Sequence, residues 1–315
     1  MINRVLLRIK IVQILYAYFK GENGDKTALM VEKELFFSIE KTYDLYYHLL
    51  NLAIVITDYV EQKIESKKNK LLPTYDEINP NTRFVDNSFI AQLRINTQLQ
   101  SRLNQRKLSW VNDSDVIKEL SEEIFACDFY QEYMEKDQVD YNDDKEIWRK
   151  IFKRIFLCNE SLDESLEEQS IFWTDDVEIV ISFIIKTIKR FDLENGSEQD
   201  LLPMFKDDED AEFAKKLLHG VMKDIDFFKE IIDKHTQNWE LDRIAFMDIL
   251  IMEVALSELI NFPTIPVNVT LNEYIEIAKK YSTEKSGPFI NGVLDNIVDA
   301  LKKENKLIKV VVFTK

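Results

Sequence analysis

Residues able to do chemistry are few and poorly grouped in this chain of 315 residues. Its three histidines (His48, His219, His235) and two cysteines (Cys127, Cys158) have neither zinc-site spacing nor the numbers for a disulfide scaffold. The run Asp207-Asp208-Glu209-Asp210 offers carboxylates to a metal. Contiguous acids just ahead of a helical pattern more commonly complement the helix dipole, and that reading is adopted. The sequence contains no phosphate-cradling glycine loop, nucleophile elbow or His-Glu-x-x-His helix. The expectation is a chain without catalytic residues, metal or cofactor. Two polar pairs are harder to assign to packing. Asn272-Glu273 stands at the start of an amphipathic pattern, where first-turn amides seek acceptors. Asn291-Gly292 puts a helix-disfavouring pair inside a helix, costing about 1 kcal/mol for the glycine alone. Close approach of a neighbouring helix would explain Gly292, and Asn291 would bond to that neighbour or to a ligand.

The elements that must position these groups read as helices. Six Gly and six Pro are too few for an all-β sandwich or a doubly wound nucleotide-binding sheet, whereas 45% hydrophobic residues supply a core. The opening MINRVLLRIKIVQILYAYF looks like an export signal, but Arg8, Lys10 and Gln13 interrupt its apolar run and no small-residue cleavage site follows. It is too polar to span a membrane, so a cytoplasmic protein is expected. Val5, Ile9, Val12, Tyr16 and Phe19 recur on one helical face while Arg4 and Arg8 share another. This describes a well-buried helix with a basic edge. Helical patterns then cover about 26–66, 86–108, 113–135, 143–158, 174–193, 208–219, 221–236, 240–261, 268–281 and 286–303. Residues 67–84 read as a loop, and the β-branched 309–315 as a short strand or disordered tail.

The net charge of −16 argues at first against nucleic acid, but its distribution is uneven. Residues 1–20 carry four bases and no acid. Residues 21–205 hold 22 basic and 37 acidic side chains, a net −15. Within that stretch, residues 63–107 are locally basic, with nine bases against four acids.

Leu271-Asn272-Glu273 with Ile275 through Lys279, followed by Phe289-Ile290-Asn291-Gly292-Val293-Leu294-Asp295, resembles the signature of the NusB transcription antitermination family. Ala214 to Val221, the helix pattern from Trp239 to Leu259, and Val12-Gln13-Ile14-Leu15-Tyr16 support the resemblance. It covers 1–20 and 206–303. It implies an all-α fold, a NusB-like helical bundle, here with an acidic helical insertion over 21–205 and a tail over 304–315. It also implies a factor without enzymatic activity that binds boxA-type single-stranded RNA with the ribosomal protein NusE. Such a factor acts in the transcription elongation complex to support ribosomal RNA synthesis, with no membrane and no small-molecule substrate. Under this resemblance Arg4, Arg8, Gln13, Tyr16, Lys279, Lys280, Tyr281, Phe289 and Asn291 are the RNA-binding candidates. Asp248, Asn272 and Glu273 are the candidates for the protein partner. The sequence departs from the family where Val5 and Leu6 replace common arginines, and where Glu253 and Ser257 replace the usual Arg and Tyr. An alternative is therefore a protein-interaction module of the same fold with RNA binding weakened or lost. The basic 63–107 segment is then the next RNA candidate.

Overall fold

Asn3 starts the first helix by accepting the Leu6 amide on its side chain, 3.0 Å away. In the computed structural model, which describes residues 1–21, 26–236 and 244–310, the chain is all-α. The helices are α1 (Arg4–Lys20), α2 (Ala28–Lys68), α3 (Tyr75–Ile78), α4 (Ser88–Ile95), α5 (Thr97–Arg106), α6 (Ser114–Ala126) and α7 (Asp128–Glu135). There follow α8 (Tyr141–Ile151), α9 (Glu160–Gln169), α10 (Val177–Arg190), α11 (Asp208–His235), α12 (Phe246–Asn261), α13 (Val267–Tyr281) and α14 (Ser286–Lys303). Among the described residues no helix is long and apolar enough to cross a membrane. Positions 240–243 of the expected 240–261 helix, Trp239 just ahead of it, and 311–315 of the tail lie outside the described residues.

The chain divides into two compact units, one of residues 2–39 and 205–315, the other of Met1 and 40–204. The long α2 is shared between them, and its residues 28–39 side with α1. Glu32 on this part of α2 lies 2.6 Å from His219 Nε2 on α11, and Phe36 packs edge-on to Phe205.

The 40–204 unit is built around the apolar face of α2, where Leu45, Leu49, Leu52 and Ile56 are fully buried as their spacing predicted. His48 lies flat against Trp110, with ring centroids 4.0 Å apart, and against Trp173 on its other flank. Both indole N–H groups donate to α2 carbonyls, Trp110 to His48 and Trp173 to Lys41. The expected 86–108 helix breaks at Asn96, whose side chain caps α5 through the Leu99 amide and donates to the Gln199 carbonyl at 2.7 Å. The expected 113–135 helix breaks at Cys127, between α6 and α7. The expected loop 67–84 contains the single turn α3, closed by a Thr74–Glu77 capping box. Like α3, α9 had no expected counterpart, because it buries just Leu162, Ser165 and Leu166.

In the other unit α1 packs against α11 and α12, and α11 to α14 pack in succession. The two helices expected over 208–236 form one, bent at Asp224. Gly220 does not end it. A Cβ there would meet Ser257 Oγ at 2.8 Å, so glycine and the small Ser257 let α11 and α12 approach closely. The close approach expected at Gly292 is corrected: that glycine faces open space. Asn272 and Glu273 are corrected likewise, since α13 starts at Val267 behind Pro266 and places them in its second turn.

Candidate nucleic-acid interface

α1 carries the basic residues on which the RNA reading leaned, and it is covered on most sides. Leu6, Leu7, Ile11, Val12, Ile14 and Leu15 are buried. Arg8 and Lys10 are buried with them. The predicted apolar stripe is split instead, with Val5 and Tyr16 exposed, Ile9 and Phe19 half-buried and Val12 buried. Arg8, 3% exposed, is committed inside: its Nε donates to Glu258 Oε2 at 2.7 Å and its Nη2 to Oε1 at 2.9 Å. Glu258 also accepts from Thr270 Oγ1 at 2.8 Å and Tyr274 Oη at 3.0 Å, so one buried carboxylate ties α1, α12 and α13 together. Glu273 adds a second acid, 3.6 Å from Arg8 Nη1. Burial alone would lower the Arg8 pKa, but Glu258 outweighs it and the net direction is up. Burial and the same carboxylate push the Tyr274 hydroxyl well up. A surface role for Arg8 is therefore corrected, because a bidentate buried partner uses its donors.

Arg4 stays partly open, with its Nε 3.2 Å from Asp210 and its guanidinium over the Phe213 ring. The acid run 207–210 works as the sequence suggested, with Asp207 accepting the Glu209 amide at the start of α11.

A continuous strip runs over the surface of this unit from α13 to α1 and α12. Lys280 Nζ sits 5.6 Å from the Tyr281 ring centre, and Gln13 Nε2 donates to Tyr281 Oη at 3.4 Å. One turn along α1, Tyr16 meets Phe246 edge-on with centroids 5.6 Å apart, and Lys20 Nζ lies 4.5 Å from the Phe246 centroid. Aromatic faces beside lysines suit stacked bases and nearby phosphates. Lys279 is exposed at one end of the strip and pairs with Glu276 at 2.6 Å. Sequence reasoning missed Lys20 and Phe246. Lys20 was legible as the base closing α1, whereas Phe246 was hidden in a strongly apolar run.

The remaining candidates are dispersed. Phe289 is half-buried and lines a cavity of about 690 Å³ with Asp248, Lys285, Ser286 and Gly292. Asn291 donates to Asp295 in its own helix at 3.2 Å, which corrects the cross-helix bond expected of it. Asp248 is buried at the cavity wall, accepts from Ser286 Oγ at 2.9 Å, and has its Oδ1 without a partner. The partner contact expected of Asp248 is corrected, because its carboxylate is buried and held by Ser286. Asn272 is exposed and Glu273 partly so. Glu253 is also buried, and burial pushes its carboxyl up to about 7.

The basic 63–107 segment spends its arginines internally. Arg83 donates to the carbonyls of Tyr133 and Met134, Arg94 pairs with Asp58, and Arg102 and Arg106 converge on the buried Asp44.

A family model described as the NusB family matches residues 184–299. The transcription antitermination protein NusB of Salinibacter ruber is 36% identical over 132 residues, covering 40% of this chain and 82% of that protein. The protein of the same description from Bacillus pumilus is 34% identical over 121 residues, covering 38% of this chain and 92% of its own. A solved structure of T. maritima NusB aligns at 28% identity over 46% of this chain and 92% of that one, with a TM-score of 0.29. The partial coverage of this chain against nearly whole relatives is consistent with an insertion. The chain belongs to the NusB family, whose relatives here are transcription antitermination proteins.

Proposed function

We propose that this chain is a transcription antitermination factor that binds boxA-type single-stranded RNA together with the ribosomal protein NusE. It would act in the cytoplasm within the transcription elongation complex and support ribosomal RNA synthesis. The observation that carries the reading is the Lys280–Tyr281–Gln13–Tyr16–Phe246–Lys20 strip. Lys20, Lys279 and Lys280 would meet phosphates, and Tyr16, Tyr281 and Phe289 would stack on splayed bases. Gln13 and Asn291 would supply polar contacts, and Arg4 would join if RNA displaced Asp210. Arg8 is a positioning residue that fixes α1 against α12 and α13. Asn272 and Glu273 would contact NusE. At −16 the chain repels a polyanion at long range, so affinity depends on this local strip and on the partner. The test is a binding assay with boxA-like RNA over a salt series, with and without NusE. Weak binding alone and stronger binding with NusE supports the proposal. The burial of Arg8 and Lys10 and the pairing of Arg4 favour a second reading, a protein-interaction module. NusE binding with no RNA affinity at any salt would select it.

A further inference from the structure

The end of α2 projects from its unit, with most residues from Glu61 to Lys67 exposed. Beyond it a short tip is braced by polar contacts. Lys70 pairs with Glu77, Thr74 and Glu77 cap α3, and Asn79 Nδ2 donates to the Tyr75 carbonyl at 3.2 Å. What this braced tip displays is apolar: Leu71 is 97% and Leu72 87% exposed, and Tyr75 and Ile78 are exposed beside them. An apolar display of this kind does nothing for the stability of its own unit and marks a contact surface. The same unit carries a groove of about 430 Å³ lined by Val55, Tyr59, Leu108, Val111 and Ile117, with Val111 standing open. Val55, Tyr59 and Gln62 give the groove its α2 wall. Their helical face continues along α2 through Ser66 to Asn69, leading directly to the tip.

We propose that a second copy of this chain docks here, with the two α2 ends antiparallel and Leu71 and Leu72 of each copy seated in the groove of the other. Charge selects this occupant and this orientation. Asp58 and Glu61 lie at the groove end and share a single cation, Arg94, which leaves that end net negative. Lys67, Lys68 and Lys70 lie at the tip end, where Lys70 pairs with Glu77. Lys68 pairs with Glu65 of its own helix, 3.1 Å away, a contact that docking would exchange for Glu61 of the second copy. Antiparallel overlap centred between residues 64 and 65 sets Glu61 opposite Lys68 twice and brings Leu71 opposite Asp58, over roughly 20 Å of helix. A parallel pair would instead face like charges. The twofold arrangement uses tip and groove twice, which doubles the apolar area covered.

The experiment is sedimentation equilibrium of the full chain over a concentration series. A monomer–dimer equilibrium is expected, and Leu72→Asp and Val111→Asp should each raise the dimer Kd at least about tenfold. Lys68→Glu and Glu61→Lys should each weaken the dimer. The double change Glu61→Lys/Lys68→Glu should restore it, since the exchanged charges still face each other. Glu61, Leu72 and Val111 are exposed and Lys68 is half-exposed, and unchanged helicity by circular dichroism checks that the variants fold. A wild-type monomer at every concentration would overturn the proposal. So would a dimer indifferent to the substitutions, or a monomer whose tip instead binds anionic phosphatidylserine vesicles in a Leu72-dependent way.

Discussion

Replacing Arg8 by Met keeps the length and apolar stem of the side chain but strands Glu258 in the core. Breaking a buried pair from one side costs about 3–5 kcal/mol, because the remaining charge has lost its partner and cannot reach water. The upper half of that range applies here, since two charge-assisted bonds at 2.7 and 2.9 Å disappear together. Thr270 and Tyr274 still donate to Glu258, which keeps the cost from rising further. The partner change Glu258→Leu strands Arg8 and should cost a similar amount. The double variant Arg8→Met/Glu258→Leu should lose clearly less than the two singles combined. Because the chain has two compact units, a single denaturation midpoint is a poor gauge, and hydrogen exchange of α1 and α12 amides under native conditions is the assay. Protection in these helices should fall by about 4–5 kcal/mol in Arg8→Met, with α4 to α10 unaffected. A loss below about 1 kcal/mol would refute the claim that this pair is what fixes α1.

Burial lowers His48 to about 4, so its neutral form contributes stability that is full above pH 6.5 and lost as pH falls toward 4. The loss amounts to about 3 kcal/mol, visible in the fluorescence of Trp110 and Trp173, and His48→Phe should remove this acid dependence. Glu253 runs the other way: its pKa is raised, so its contribution is full below about 4.5 and lost as pH rises through about 7. Glu253→Gln should therefore stabilise the unit at pH 8 by up to about 3 kcal/mol, and equal stability of both proteins at that pH would argue against a buried, unsatisfied carboxyl. Gly220→Ala should cost about 1–3 kcal/mol by driving a methyl group into Ser257 Oγ. Gly292→Ala meets open space and should gain about 1 kcal/mol, so thermal melts of the two variants should move in opposite directions.

Much of this architecture was legible because helical periodicity survives any insertion. The stripe on α2 and the patterns that became α13 and α14 needed no tertiary information. What could not be read was which side of a nearly all-apolar helix faces out. In α1, residues on every side are buried, so the i, i+4, i+7 stripe did not mark the packed face: its Val12 is buried but its Val5 and Tyr16 are exposed. Arg8 looked like a surface base because its partner, Glu258, lies 250 residues away. Nothing local in Arg4-Val5-Leu6-Leu7-Arg8 announces a carboxylate waiting in another helix. Gly220 and Gly292 show the same limit, since a glycine's neighbours across a helix interface are set by the fold. The candidate interface was half visible: Gln13, Tyr16, Lys280 and Tyr281 came from the motif, while Lys20 and Phe246 join only through the packing of α1 on α12.

The central claim is that RNA lies along the strip from Lys280 to Lys20. It is tested most directly by the salt dependence of boxA-like RNA binding to the chain with NusE, comparing wild type with Lys20→Ala/Lys280→Ala. Each phosphate contact removed lowers the slope of log K against log salt by about 0.7 for single strands, so the double variant should be shallower by about 1.4. It should also bind more weakly at low salt while leaving NusE association intact. A double variant with wild-type affinity and wild-type slope across the series would contradict the account.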